Sequence, residues 1–441
     1  VKAIAGLGLN ASICGLARML KSDVDVCLDC DVDMIHVFIP TSEVQRIHTI
    51  KKTREEILET TAQIVCYARD HCNQVMFSAM DATRTDWQYL LQAFRTAENA
   101  GATILNVPDT VGVITPYAMR RLITSIAGEV KVPIDVHCHN DFGLAVANTL
   151  AAVEGGASQV QVTVNGLGER AGNADLSQTV MSLESIYGVR TGITTNKIVE
   201  TSRLVSRFSG ISLLPTQPIV GENAFAHESG IHSHGVIACS QTFEPGIMTP
   251  EMVGHRRRIK IGKHTGRHAV RQLLTEAHIT PSEKQLDAIV EKIKFMASKG
   301  KRLTDADLYE IADSVMGTIL EERTLRLADI AVMTGNHIIP TASIRASVDG
   351  KEHTFSSVGN GPVDAAMKAI LGILPAPVQL KEFKIEAISG GSDAIGHVTI
   401  AVEDPQGRVF DASASGDDIV IASVEAMVQA INLLYRVEKR S

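Results

Sequence analysis

Between residues 11 and 188 short apolar runs alternate with longer amphipathic ones, and a polar or Gly-containing turn separates each pair. The short runs lie at 11–15, 34–38, 74–78, 103–107, 134–137 and 159–164 and predict buried strands. Runs with the helical period lie between them at 53–70, 86–100 and 116–129. Pro116 suits a first helical turn, where a missing N–H is not needed. Strand and helix in alternation imply parallel strands joined by right-handed crossovers. Six units are visible, fewer than a closed (β/α)8 TIM barrel requires. The chain opens on Val1, inside a helical pattern, so the expectation is a barrel whose first two strands precede this sequence.

Polar residues collect at one end of these strands. Arg18, His36 with Thr41 and Ser42, Asp81 to Arg84, Asp109 with Thr110, His137 to Asp141, and Asn165 to Asn173 all follow apolar runs. Packing alone does not call for polarity at one end of every strand, whereas convergence on a shared site does. Beyond residue 210 the periodicity weakens into two Gly- and His-rich stretches, 221–232 and 262–267, which read as lids. Helical patterns follow at 282–299 and 304–315. The last part repeats itself: strands at 325–333, 341–348 and 352–357 precede a helix at 362–374, then strands at 380–388, 395–403 and 408–414 precede a helix at 419–435. Gly359-Asn360-Gly361 and Ser415-Gly416-Asp417-Asp418 stand at equivalent places before the two helices. The expected division is a barrel at 1–210, lid and helical linker subdomains at 211–324, and a C-terminal α+β domain with a βββα repeat at 325–441. That last domain carries no cluster of catalytic groups, so binding or dimerisation is its expected role.

Composition narrows the function. The 441 residues are 45% apolar and 21% charged with a net charge of −8, which excludes nucleic acid and anionic membrane as main partners. No run approaches the roughly 18 apolar residues of a membrane span. The seven cysteines are an odd number scattered among strands and helices, which suits a reducing cytoplasm rather than a disulfide framework. Cys27 and Cys30 have CxxC spacing but lie in a helical pattern without a second pair.

The candidate chemistry centres on His137-Cys138-His139-Asn140-Asp141. Histidines at i and i+2 on an extended strand end point the same way, so both imidazoles can reach one divalent metal. Asn173, at the end of the next strand, is the nearest oxygen donor, and such a set suits zinc, manganese or magnesium. With open positions the ion would be a Lewis acid for a 2-oxo acid. Glu169 and Asp141 are candidates to orient the ligands. His232 beside Glu228 suits a general base with a tuned pKa.

His137 to Asp141, Asn165 to Asn173, and Phe225 to His232 together resemble the signatures of the family of 2-isopropylmalate, citramalate and homocitrate synthases. The double βββα repeat resembles that family's C-terminal allosteric domain, which typical homocitrate synthases lack. The resemblance implies a metal-dependent acyltransferase in the cytoplasm. Its substrates would be acetyl-CoA and a 2-oxo acid, and it would pair as a homodimer and answer to an amino-acid feedback inhibitor. Carried over residue by residue, His137, His139 and Asn173 are metal ligands, His232 holds the base or proton-relay position, Thr110 holds the substrate carboxylate, and His36 and Ser78 bound the pocket for the 2-oxo acid side chain. A small Ser78 favours 2-oxoisovalerate, in leucine biosynthesis, over pyruvate. The alternatives are a citramalate synthase, a catalytically impaired regulatory paralogue, and a metal-dependent aldolase on the same barrel.

This sequence departs from the family pattern in three ways. The Arg-Asp-Gly motif of the family's first strand, whose Asp is a metal ligand, does not occur in it; Met80 stands where Glu is usual; and Phe243 stands where Tyr is common.

Overall fold

A computed structural model describes residues 1–227, 246–259, 261–262, 265–277, 279–298, 303–316, 324–375, 377–387 and 396–440. The chain divides into two compact units, one of residues 1–225 with 245–256 and the other of residues 226–244 with 257–441.

The first unit is built on six parallel strands: β1 (Cys14–Arg18), β2 (Met34–Pro40), β3 (Val75–Met80), β4 (Ile104–Asp109), β5 (Ile134–Cys138) and β6 (Gln159–Gln161). Each strand pairs with the next in sequence. That order belongs to a barrel wall and not to a doubly wound sheet, in which the order reverses at a switch point. The helices that return the chain have recognisable starts. Thr53 and Glu56 form a reciprocal capping box at the head of Arg54–His71: Glu56 N–H donates to Thr53 Oγ1 at 3.1 Å, and Thr53 N–H donates to Glu56 Oε2 at 2.6 Å. Thr115 caps Pro116–Ala127 and Asp86 caps Trp87–Asn99. Val37, Phe77, Leu105 and Val136 from the strands, with Ile57, Phe94 and Ile123 from the helices, form a continuous core.

Two strand boundaries differ from the sequence pattern. β1 begins at Cys14 because its ladder starts where Cys14 meets Met34, while Ile13 N–H is taken by the Asp33 carboxylate at 2.7 Å. β6 stops at Gln161 because its ladder with β5 ends at the pair His137–Gln161, and the chain then turns at Asn165, where φ is 63°.

In the second unit the βββα repeat is present as two antiparallel sheets. Leu325–Gly335, Ile338–Val348 and Lys351–Val358 precede the helix Pro362–Ile373; Gln379–Ala387, Gly396–Glu403 and Val409–Gly416 precede Ile419–Arg440. The helices Glu283–Ser298 and Asp305–Met316, expected in a linker, and the helix Arg267–Glu276, which the pattern did not show, share one core with both sheets, through residues such as Val270, Ile289, Leu308, Ile344, Val398 and Ile431.

Candidate active site at the strand ends

His137 is the penultimate residue of β5 and His139 the first residue past it. Alternation along the extended chain turns both rings the same way, as the spacing predicts. Their Nε2 atoms stand 3.2 Å apart, with the ring planes at 76°. Burial lowers the His137 pKa to about 4, with the charge of His139 adding to the effect. Burial also lowers His139, aided by the positive charge of Arg170. Both imidazoles are therefore neutral at pH 7, the form that ligates metal.

Asn173 is brought to this pair by the loop after β6. Asn140 N–H donates to Gly172 C=O at 2.9 Å, Ala174 N–H donates to Cys138 C=O at 3.1 Å, and His139 faces Asn173 across an antiparallel bridge. The loop can lie this close only because a Cβ at Gly172 would strike Gly166 C=O and one at Gly168 would strike the Asn173 amide. Asn173 Nδ2 donates to Leu167 C=O at 3.2 Å, which leaves Oδ1 on the other side of the amide. That oxygen is buried without a hydrogen-bond partner, and so are Nδ1 of both histidines. A cation that takes both Nε2 lone pairs and the Asn173 oxygen resolves the facing nitrogens and the orphan oxygen together. The donor set thus fits a divalent metal, and among the described residues no third His, Cys, Asp or Glu joins it.

Asp141 does not orient the histidines by contact. Its carboxylate is held by Arg170, Nε to Oδ1 at 2.7 Å and Nη2 to Oδ2 at 2.8 Å, and Arg170 Nη2 also donates to Thr110 C=O at 2.9 Å. Arg170 thereby ties the ends of β4, β5 and β6 to one another. Glu169 lies exposed on the same loop and acts on His139 at a distance, raising its pKa. Glu228 and His232 lie outside the described residues, as does Phe243.

The predicted substrate residues lie on the neighbouring strands. Thr110 Oγ1 accepts the Asp81 backbone N–H at 2.9 Å, so its own proton is left to donate outward. His36 Nε2 and Ser78 Oγ are 2.7 Å apart and touch directly. Burial, with the charge of His137 adding to it, lowers the His36 pKa to about 4. Met80 closes β3 half-buried, its carbonyl accepting Thr41 N–H at 3.0 Å and Thr41 Oγ1–H at 3.1 Å.

Sequence reasoning missed Arg170, Asn106, Asp135 and Gln161 as members of this network. Asn106 and Asp135 are buried behind Ser78, and Gln161 joins them from β6. The available signal was an amide or carboxylate interrupting an apolar strand, a placement that requires a buried partner.

The HMGL-like family model matches residues 1–205, the homocitrate synthase post-HMGL domain-like model residues 219–301, and the LeuA allosteric (dimerisation) domain model residues 302–435. The sheet and its polar rim are accordingly those of an HMGL-like TIM barrel. A probable 2-isopropylmalate synthase of Methanosarcina acetivorans is 57% identical, over 100% of this chain and 86% of that protein. The 2-isopropylmalate synthase of Methanocaldococcus jannaschii is 51% identical, over 100% and 85%. A putative (R)-citramalate synthase of Methanothermobacter thermautotrophicus is more distant, at 43% over 100% and 88%. Among solved structures, a hydroxymethylglutaryl-CoA lyase from Pseudomonas aeruginosa is 24% identical with a TM-score of 0.43, covering 48% of this chain and 75% of that one. The chain belongs to the 2-isopropylmalate synthase family.

Proposed function

We propose that this protein is a 2-isopropylmalate synthase. It joins the methyl carbon of acetyl-CoA to C2 of 2-oxoisovalerate and releases CoA by hydrolysis of the thioester, in the cytoplasm, for leucine biosynthesis. The observation that carries the reading is identity of 51–57% along the whole chain to relatives of that name, against 43% to a relative named for citramalate.

The strand-end residues suit the parts of the reaction. Thr110 Oγ1, committed as acceptor to Asp81 N–H, offers its proton to the carboxylate of the 2-oxo acid. His36 and Ser78 wall the side-chain end of the pocket. His137, His139 and the Asn173 oxygen would hold a divalent metal, which supplies Lewis-acid polarisation of the keto oxygen. Arg170 fixes the loop that presents Asn173 and so keeps the donor set together before substrate arrives. Abstraction of the methyl proton is assigned to His232 with Glu228, and the exposed Glu169 is assigned a supporting electrostatic role.

The second unit is read as a dimerisation and amino-acid-sensing domain. Its family match supports this, as do the apolar side chains its sheets leave exposed, among them Met333, Ile339, Val358 and Ile385. The test is thiol release from acetyl-CoA by the full-length protein with a divalent metal, comparing 2-oxoisovalerate with pyruvate. Preference for pyruvate would reassign the protein as a citramalate synthase.

A further inference from the structure

β3 pairs with β4 as far as Ser78 and Asn106. At the rim the two chains are tied again, by Thr83 Oγ1–H to the Asp109 carboxylate at 2.9 Å and by Asp81 N–H to Thr110 Oγ1 at 2.9 Å. The second tie depends on an unusual backbone. Asp81 has a φ of 65° and a ψ of 37°, the left-handed region that a side chain disfavours and glycine does not. A turn that served only to end the strand would do better with glycine, so an aspartate here has to be held. Its carboxylate is fully buried: Ser42 Oγ–H donates to Oδ2, and the Arg84 guanidinium forks onto it, with Nε 2.9 Å from Oδ1 and Nη2 2.7 Å from Oδ2. Asp81 C=O accepts Thr85 Oγ1–H at 2.9 Å and Arg84 N–H at 3.2 Å. With side chain and carbonyl both clamped, the peptide N–H is aimed at Thr110.

We propose that Asp81 is a positioning residue: held left-handed by Ser42 and Arg84, it aims its N–H at Thr110 Oγ1 and so fixes the Thr110 hydroxyl as the donor to the carboxylate of the 2-oxo acid. A threonine hydroxyl has one proton and two lone pairs and rotates to suit its surroundings. An N–H that occupies one lone pair keeps the proton off that side, so the proton is already turned to donate when the carboxylate arrives. Without the N–H the hydroxyl is free to spend its proton elsewhere, and the carboxylate then meets a lone pair. Backbone strain kept in place by its surroundings is one way in which a site is pre-organised. Thr110 C=O is held in turn by Arg170, so backbone and side chain of the substrate residue are set by two different elements. All 2-oxo acids share the carboxylate, so this contact governs affinity and not choice among them. The proposal rests on the synthase reading for the role of Thr110; the conformation and hydrogen bonds of Asp81 do not depend on it.

The test is a double-mutant cycle in the full-length, metal-loaded protein: wild type, Asp81→Gly, Thr110→Val and the double variant, with 2-oxoisovalerate and with pyruvate. Asp81→Gly tolerates the left-handed backbone but removes the clamp that aims it. It should raise KM for both acids by the same factor, about tenfold, the scale of one misdirected hydrogen bond to a carboxylate. KM for acetyl-CoA and kcat should move less than about twofold. Thr110→Val should raise the acid KM at least as much, and adding Asp81→Gly to it should raise it no further, because the two changes remove one interaction. If Asp81→Gly does not fold, Arg84→Lys keeps the charge and loses the fork, and should give a smaller rise of the same kind, again absent in the Thr110→Val background. An unchanged acid KM, equal rises for the acids and acetyl-CoA, or effects that add to Thr110→Val would overturn the proposal. Preference of the wild type for pyruvate would overturn the synthase reading alone, and the cycle run with pyruvate would still decide the role of Asp81. Absence of turnover with either acid would overturn both.

Discussion

Arg170 grips Asp141 with two parallel hydrogen bonds and, with the same Nη2, donates to the Thr110 carbonyl. One guanidinium on the loop after β6 thus fixes the two strand ends that carry the candidate metal and carboxylate sites. Both partners are partly exposed, so the pair adds little to global stability. Its effect is local. Arg170→Lys, which cannot make the fork, should lower metal affinity and kcat/KM by about ten- to a hundredfold. The melting temperature should stay nearly constant. Metal titration and differential scanning calorimetry check the two halves; a large fall in melting temperature with unchanged affinity would contradict this.

Removing either imidazole should abolish the metal site. His137→Ala or His139→Ala is expected to cut kcat/KM by about a thousandfold. Elemental analysis of the purified variants should show metal lost in parallel. Chelation of the wild type should do the same, with activity restored by adding a divalent ion.

His36 gives a pH signature. Burial takes its pKa from 6.5 down to about 4, so the unfolded chain binds its proton first on acidification. The stability this ring contributes is present above pH 6.5 and is lost as pH falls from there through about 4. Between pH 7 and pH 5 the loss from this one group is about 2 kcal/mol. Urea midpoints should therefore fall less over that interval in His36→Gln than in the wild type. Equal slopes would contradict burial of a neutral ring.

Met80 stands where the resemblance expects a carboxylate, and a thioether cannot take a proton. The strand end is anchored through its backbone to Thr41, so the side chain can change without moving β3. Met80→Glu should therefore raise kcat, by about tenfold, without altering the melting temperature. A variant no faster than the wild type would show that Met80 leaves the chemistry intact.

The strand and helix order was legible from apolar period alone, because parallel strands buried on both faces read as continuous runs and the helices between them start on Thr53, Asp86 and Thr115 caps. The histidine pair was legible because a period of two forces His137 and His139 onto one face. The mutual contact of His36 and Ser78 was not: register sets His36 opposite Met76, and a side chain reaching diagonally across the sheet closes the gap. Arg170 was also hidden, since a loop arginine has no periodicity and its partners lie 29 and 60 residues away. The helix Arg267–Glu276 was not read from the sequence, and the joining of the helices Glu283–Ser298 and Asp305–Met316 to the C-terminal sheets was hidden, because amphipathic period shows that a helix has a buried face without showing what covers it.

The β5 rim is expected to carry a metal-dependent condensation. It is tested most directly by following thiol release from acetyl-CoA with 2-oxoisovalerate, using the full-length protein with and without divalent metal. Release is expected to require both the metal and the 2-oxo acid, to vanish in His137→Ala, and to favour 2-oxoisovalerate over pyruvate by several-fold in kcat/KM, the order of a pocket tuned to a few methylenes. Release that persists after chelation, or no release with either 2-oxo acid, would contradict it.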